Sequence, residues 1–304
     1  MKPVIRIAHS PDADDRLMFW AIKQGRLISD RYAFEIHEAD TQTLNRLATG
    51  EEYDIIAVSA AHYASIHAIY QPLRMGTSVG SGYGPVVVTL PHTDASILPA
   101  PGSQELQNWT LLSPGLQTTA HNALRVLGYH FGNVLEVPIQ PMSLIFEKLH
   151  SLSLAAKLNG KPALIAALVI HEGRLTFESE GTILQLDLGL AWQKRFGCNL
   201  PLGINVIKRS LPVETREYLS TFLRQSMQAA LLDRKTFEDE YAQSGPLDRN
   251  TLQTYLKMYA NETTLDISAE DRAAFDLLTS EVLKSHSVQG ALANGQTGII
   301  ADWI

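Results

Sequence analysis

The sequence predicts an α/β protein of two lobes, and three observations predict it. Short apolar runs alternate with longer stretches whose apolar residues recur at helical spacing, the pattern of βαβ units around a mainly parallel sheet. Residues 91–107 (PHTDASILPAPGSQELQ) are proline-rich and without periodicity, as expected of a crossing linker. Residues 199–203 (NLPLG) form a turn that feeds another strand, a second crossing. At 304 residues the chain is about twice the usual single-core size. Two crossings return the C-terminal part to the first lobe. Lobe 1 is therefore expected over 1–95 with 204–304 and lobe 2 over 107–200, with crossings near 91–107 and 199–204 and a hinged cleft between.

Residues 4–8 are read as a strand, and 14–23 (DDRLMFWAIK) as a helix because Leu17, Phe19, Trp20 and Ile22 fall at helical spacing. A strand at 34–37, a short helix at 41–49 and a strand at 53–59 follow. The second lobe reads as strand 109–113, helix 118–127, strand 134–139, helix 144–156 and strand 163–170. Residues 184–188 add a strand edge, 190–196 a helical turn and 204–208 a strand. From residue 213 the pattern is helical, over 214–242, 250–259 and 269–284. The closing segment 290–304, apolar at Ile299, Ile300, Trp303 and Ile304, is expected to pack on the first lobe rather than on a partner.

Composition narrows the function. The chain is 45% hydrophobic and 19% charged with a net charge of −7, and its Lys and Arg residues form no basic stripe, which argues against nucleic acid. A small molecule is the expected partner. No apolar run approaches the ~20 residues of a membrane span, and the N-terminus reads as a strand rather than a secretory signal. Cys198 is the only cysteine, so no internal disulfide can form, in keeping with the cytoplasm. The expected state is monomer or homodimer, with no membrane partner.

Four segments carry candidate chemistry. His9-Ser10-Pro11-Asp12-Ala13-Asp14-Asp15 ends a strand and starts a helix; its three carboxylates suit either a hard cation or, preferably, a helix cap. Ser59-Ala60-Ala61-His62 follows a strand, where Ser59 either caps a helix or helps hold an anion. Ser113-Pro114-Gly115-Leu116-Gln117-Thr118-Thr119-Ala120 offers a glycine turn and paired hydroxyls at a helix start. The last is Ala163 to Phe177, ALIAALVIHEGRLTF: eight apolar residues make a strand buried on both faces, ending at His171. Open α/β sheets gather ligands at such strand ends, and imidazole, with a reference pKa of ~6.5, suits proton transfer. Position rather than residue type singles out His171 among the ten histidines. No His/Cys pair has zinc-ligand spacing and no Gly-x-Ser-x-Gly elbow is present.

The segments HSPDADDRLMF, VSAAHY, SPGLQTTA, VIHEGRLTF, LDLGLAW, LPLG and MYANETT, in that order from residue 4 to about 266, resemble the 1,4-dihydroxy-6-naphthoate synthase family of menaquinone biosynthesis. The most specific element is IHEGRLTF followed by DLG and LPLG. The resemblance implies a fold like that of type II periplasmic binding proteins, two lobes, each a mixed or parallel sheet flanked by helices, with a cleft between them. It implies a cofactor-independent, metal-free carbon–carbon lyase that converts cyclic dehypoxanthine futalosine to 1,4-dihydroxy-6-naphthoate. It further implies His171 as the proton acceptor and Ala57, Val58, Ser59, Thr118 and Thr119 as substrate contacts, to which Ser10 of the shared Ser-Pro opening is added. That opening departs from the family's Ser-Pro-Cys-Pro-Asn-Asp-Thr-Phe: Ser10, Pro11 and Asp15 are common, while Asp12, Asp14 and Arg16 are this chain's own. The alternative is a non-catalytic solute-binding protein for a small carboxylate or aromatic ligand.

Overall fold

A computed structural model describes residues 2–91, 97–287 and 299–304. The described chain forms two compact units, one of residues 2–79, 201–280 and 299–304, the other of 80–91, 97–200 and 281–287. The first division falls at Val79/Gly80, ahead of the proline-rich segment expected to make the crossing, and the second at Leu200/Pro201. Residues 92–96 of that segment, and 290–298 of the closing one, lie outside the described residues.

The first unit opens with β1 (Val4–His9), α1 (Ala13–Lys23), β2 (Ala33–Glu38), α2 (Thr41–Thr49) and β3 (Ile55–Ser59). The apolar face of α1 buries Leu17, Met18, Phe19 and Trp20, while Asp15 in its first turn and Lys23 in its last complement the helix dipole. Helix α2 starts at Asp40, whose carboxylate accepts the Thr43 N–H at 3.0 Å. A short α3 (Tyr63–Ile66), β4 (Tyr70–Pro72) and β5 (Ser78–Gly80) follow.

The second unit begins with β6 (Val86–Thr89), a strand the sequence reading passed over. It continues through β7 (Thr110–Ser113), α4 (Thr119–Val126), β8 (Asn133–Glu136), α5 (Ser143–Leu158), β9 (Ile165–Val169), α6 (Gly173–Thr176), β10 (Ile183–Asp187) and α7 (Leu188–Phe196). The chain then re-enters the first unit with β11 (Leu200–Lys208), followed by α8 (Val213–Leu232), α9 (Arg234–Ser244), α10 (Arg249–Tyr259), α11 (Glu262–Leu265) and α12 (Ala269–Ser287). Residues 214–242, expected as one helix, are two. Asp233 leaves helical geometry at φ −111° and ψ 34°, and its carboxylate takes the Thr236 hydroxyl at 2.5 Å, the local competition by which aspartate interrupts helices.

Each sheet is mixed. The first runs β2-β1-β3-β11-β4, with β5 also on β11; β1 is parallel to β2 and β3, whereas β11 is antiparallel to β3 and β4. The second runs β10-β6-β9-β7-β8; β7 is parallel to β8 and β9, and β6 antiparallel to β9 and β10. The parallel strands are those linked through helices, as βαβ units require. Strands β3 and β9, interior to their sheets, are buried at every residue. The last residues pack within the first unit: Ile304 N–H donates to Pro72 O at 3.1 Å and Arg74 N–H to Ile304 O at 2.8 Å. Trp303 meets the Phe275 ring edge-on at 4.9 Å. No described helix is long and apolar enough to cross a membrane.

Candidate active site

In the first unit the candidate residues lie at the C-terminal ends of β1 and β3. Strand β1 ends at His9, which is fully buried and stacked on Phe19 with ring centroids 4.7 Å apart. Its Nδ1 stands 2.5 Å from the Ser10 carbonyl; a carbonyl only accepts, so Nδ1 carries the proton and Nε2 presents a lone pair. Burial lowers the His9 pKa to about 4, so the ring is neutral at pH 7. His9 thus matches His171 in its place at a strand end, where sequence reasoning put it without singling it out.

Ser10 is buried, and the turn after it is closed by short-range bonds. Ser10 N–H donates to Asp15 Oδ2 at 2.8 Å, and Asp12 N–H to Ser10 Oγ at 3.2 Å. Asp12 occupies the N-cap position, but its carboxylate makes no cap hydrogen bond; the turn is closed by the Asp15 carboxylate through the Ser10 N–H. Asp14 accepts the Tyr255 hydroxyl at 3.2 Å. Burial, reinforced by the charges of Asp15 and Asp12, pushes its carboxyl well above the usual carboxylate range.

Ala57 and Val58 are interior residues of β3, opposite Asn205 and Ile204 of β11, and Ser59 is the residue at which the strand ends, opposite Gly203. Ser59 is held by Asn45 of α2, a fully buried side chain. Asn45 Oδ1 accepts the Ser59 N–H at 2.9 Å, and Asn45 Nδ2 donates to Ser59 Oγ at 3.0 Å. His62, three residues on, is buried, with its pKa lowered to about 4 by desolvation.

In the second unit, β7 ends at the buried Ser113, whose hydroxyl accepts the Gly115 N–H at 3.3 Å and lies 3.3 Å from His121 Nδ1. Gly115 takes φ +148°, a region open to glycine. Thr118 is the N-cap of α4: its hydroxyl accepts the His121 N–H at 3.2 Å and donates to Gly115 O at 2.7 Å. Thr118 and Thr119 are both buried, and the Thr118 hydroxyl proton is committed inside the turn. Asn122 ties the turn further, donating to the carbonyls of Leu116 and Thr118 at 3.1 and 2.9 Å.

Strand β9 lies between β6 and β7 and delivers the chain to His171, half-buried and at φ +50°. Left-handed backbone in a residue with a Cβ is uncommon and costs roughly 1 kcal/mol, so the surroundings must hold it. Arg174 supplies an anchor three residues on. Its guanidinium pairs with Asp187 at 2.7 Å and donates to Gly84 O at 2.6 Å. Asp187, whose side chain is 5% exposed, also caps α7 by accepting the N–H groups of Gly189 and Leu190 at 2.9 and 3.2 Å. A Cβ on Gly189 would stand 2.1 Å from the Tyr83 carbonyl carbon and 2.6 Å from Gly84 N. The arginine of IHEGR and the DLG that follows are therefore one structural device.

Sequence reasoning named His171, Ser59 and the Ser113–Thr118 turn but missed Asn45, His121 and the Arg174–Asp187 pair. Only the recurrence of Arg and Asp in the two motifs pointed to any of them. Among the described residues, no three His, Cys, Asp or Glu side chains are grouped to hold a metal ion.

Comparison with known proteins agrees with the fold and with the motifs. A family described as menaquinone biosynthesis matches residues 5–282. The 1,4-dihydroxy-6-naphthoate synthase of Thermus thermophilus is 28% identical over 278 residues, covering 91% of this chain and 93% of that protein. A crystal structure of an Archaeoglobus fulgidus protein superposes with a TM-score of 0.76 at 31% identity, over 95% of this chain and 98% of that one. A Candida albicans gene product with the generic periplasmic binding protein fold gives a TM-score of 0.66 at 11% identity, over 97% and 92% of the two chains, a likeness in fold alone. The fold is therefore periplasmic-binding-protein-like, and the chain belongs to the menaquinone biosynthesis family.

Proposed function

We propose that this chain is a carbon–carbon lyase that converts cyclic dehypoxanthine futalosine to 1,4-dihydroxy-6-naphthoate, with His171 as the general base. The observation that carries the reading is the backbone at His171: an imidazole held at φ +50° on the end of a strand buried along its whole length. Family membership and the name of the Thermus thermophilus relative support the substrate. His171 takes a proton from the sugar-derived part of the substrate. The electron pair left behind breaks a carbon–carbon bond, releasing the aromatic naphthoate and a dihydroxyacetone-type fragment. Ser10, Ala57, Val58, Ser59, Thr118 and Thr119 are the proposed substrate contacts; no cofactor takes part, and the cytoplasm is the proposed compartment. Thr118 acts through its backbone and its cap, since its hydroxyl proton is already donated to Gly115 O.

Loss of a general base costs about 10²–10⁴-fold in rate. His171→Ala is therefore expected to bind substrate but release no naphthoate above that floor, followed by mass spectrometry of the purified protein with cyclic dehypoxanthine futalosine. Turnover by the variant at the wild-type rate rejects the base. Binding by wild type without product favours a solute-binding protein, since fold alone does not fix function.

A further inference from the structure

We infer that Asn45 fixes the polarity of Ser59, making its hydroxyl a hydrogen-bond donor aimed at an oxygen that can only accept, the carboxylate of a naphthoate ligand. The inference rests on the proposal that Ser59 contacts the substrate. Its starting point is a constraint on the amide. The Ser59 N–H can only donate, so the Asn45 atom 2.9 Å from it must be Oδ1. The atom 3.0 Å from Ser59 Oγ is then Nδ2, which can only donate. Ser59 Oγ is thereby an acceptor toward Asn45, and its own proton points elsewhere.

That proton has no acceptor among the described residues. Ser59 is 3% exposed and Asn45 fully buried, so neither group turns readily to water, and a buried donor left unpaired is unfavourable. The partner it lacks is an acceptor. A dihydroxynaphthoate carries two hydroxyls, which donate and accept, and one ionised carboxylate, which only accepts. The carboxylate matches the orientation that Asn45 imposes, and a charged acceptor makes the stronger bond. Asn45 is thus a positioning residue: it reaches the ligand only through Ser59.

Asn45→Asp tests the polarity with little change in shape. The carboxylate still accepts the Ser59 N–H but no longer donates to Oγ, so the Ser59 hydroxyl turns its proton toward residue 45. Titration calorimetry with 2-naphthoate is carried out on wild type, Asn45→Asp, Ser59→Ala and the double variant, alongside KM and kcat. Asn45→Asp is expected to weaken 2-naphthoate roughly tenfold or more and to raise KM by a similar factor, with kcat changed by less than about threefold. Ser59→Ala should lose as much, and Asn45→Asp should add nothing on the Ser59→Ala background. Wild-type affinity in Asn45→Asp overturns the inference. So does a further loss in the double variant, which would trace the effect to the new charge rather than to the hydroxyl. If Asn45→Asp does not fold, Ser59→Ala decides: unchanged affinity for 2-naphthoate overturns the inference, and a loss of tenfold or more supports it. Ser59-dependent binding without any naphthoate from cyclic dehypoxanthine futalosine supports the inference and rejects the proposed reaction. Turnover by a wild-type protein that does not bind 2-naphthoate does the reverse.

Discussion

Removing the guanidinium of Arg174 leaves the Asp187 carboxylate without its counter-ion in a place water barely reaches, since the two side chains are 18% and 5% exposed. Breaking a buried pair from one side costs about 3–5 kcal/mol, because the remaining charge is stranded rather than removed. Asp187 keeps two N–H donors at the start of α7, and Gly84 O loses a donor, so the lower end, about 3 kcal/mol, is expected for Arg174→Ala. For a unit of this size that is a fall in Tm of about 10 °C. Scanning calorimetry reads it in the transition of the second unit, while that of the first unit stays in place, provided the two unfold separately. Asp187→Asn keeps an acceptor for the cap and removes the charge, so Arg174→Ala on that background should cost no more than about 1 kcal/mol. A fall of less than about 3 °C, or the same loss on both backgrounds, would refute the account of Arg174 as an anchor for the His171 turn.

Three further outcomes are expected. Gly189→Ala drives a methyl group against the Tyr83 and Gly84 backbone, which cannot move like the tip of a side chain, and should cost about 3 kcal/mol or more in urea unfolding; wild-type stability would show that the approach of the two chain segments is looser than described. His9 has a folded pKa of about 4 against about 6.5 when unfolded. The unfolded state therefore takes the proton first, stability is whole above pH 6.5, and up to about 3 kcal/mol is lost as pH falls to 4. His9→Asn, which retains a donor for the Ser10 carbonyl, should lose less stability than wild type between pH 7 and 5, and parallel losses would sink the assignment. Asp14 has the opposite sign: its raised folded pKa favours the native state only in acid, and that benefit disappears as pH rises through it. Asp14→Asn keeps an acceptor for Tyr255 and should raise Tm at pH 7 but not at pH 3; no gain at pH 7 would contradict the buried acid.

Features set by residues near each other in sequence were legible, and features set by distant ones were not. Strand β9 was readable because a strand covered on both faces is an unbroken apolar run, and the short helix expected over 41–49 is α2. The sequence of β6, VVVT after Gly84-Pro85, carries strand propensity, but no helical pattern stands before it to mark a βαβ unit, and it proved to run antiparallel to β9. His9 looked ordinary because its burial comes from Phe19, on the far side of a turn. Asn45 is a polar residue in a helix, indistinguishable from a solvated one until the chain returns 14 residues later with Ser59. Arg174 and Asp187 appeared in the two most specific motifs, yet only the packing of α6 against the end of β10 gave them a common purpose.

The antiparallel seat of β11 beside β3 has a consequence for biosynthesis. Ser59 pairs with Gly203 and Ile55 with Ile207, so the interior edge of β3 has no native neighbour until nearly two-thirds of the chain has been made. At about 5–20 residues per second, a ribosome takes roughly ten seconds to cover that interval. Throughout it the fully apolar β3, IIAV before its serine, presents open backbone groups of the kind that recruit other nascent strands. The sheet of the second unit is built from strands between β6 and β10; β6 waits there only until β9 is made, a shorter interval, so that sheet can close first. The step most exposed to aggregation is then the docking of a late strand onto an early one, and a chaperone that shields residues 55–59 during synthesis would act at the point where this topology is weakest.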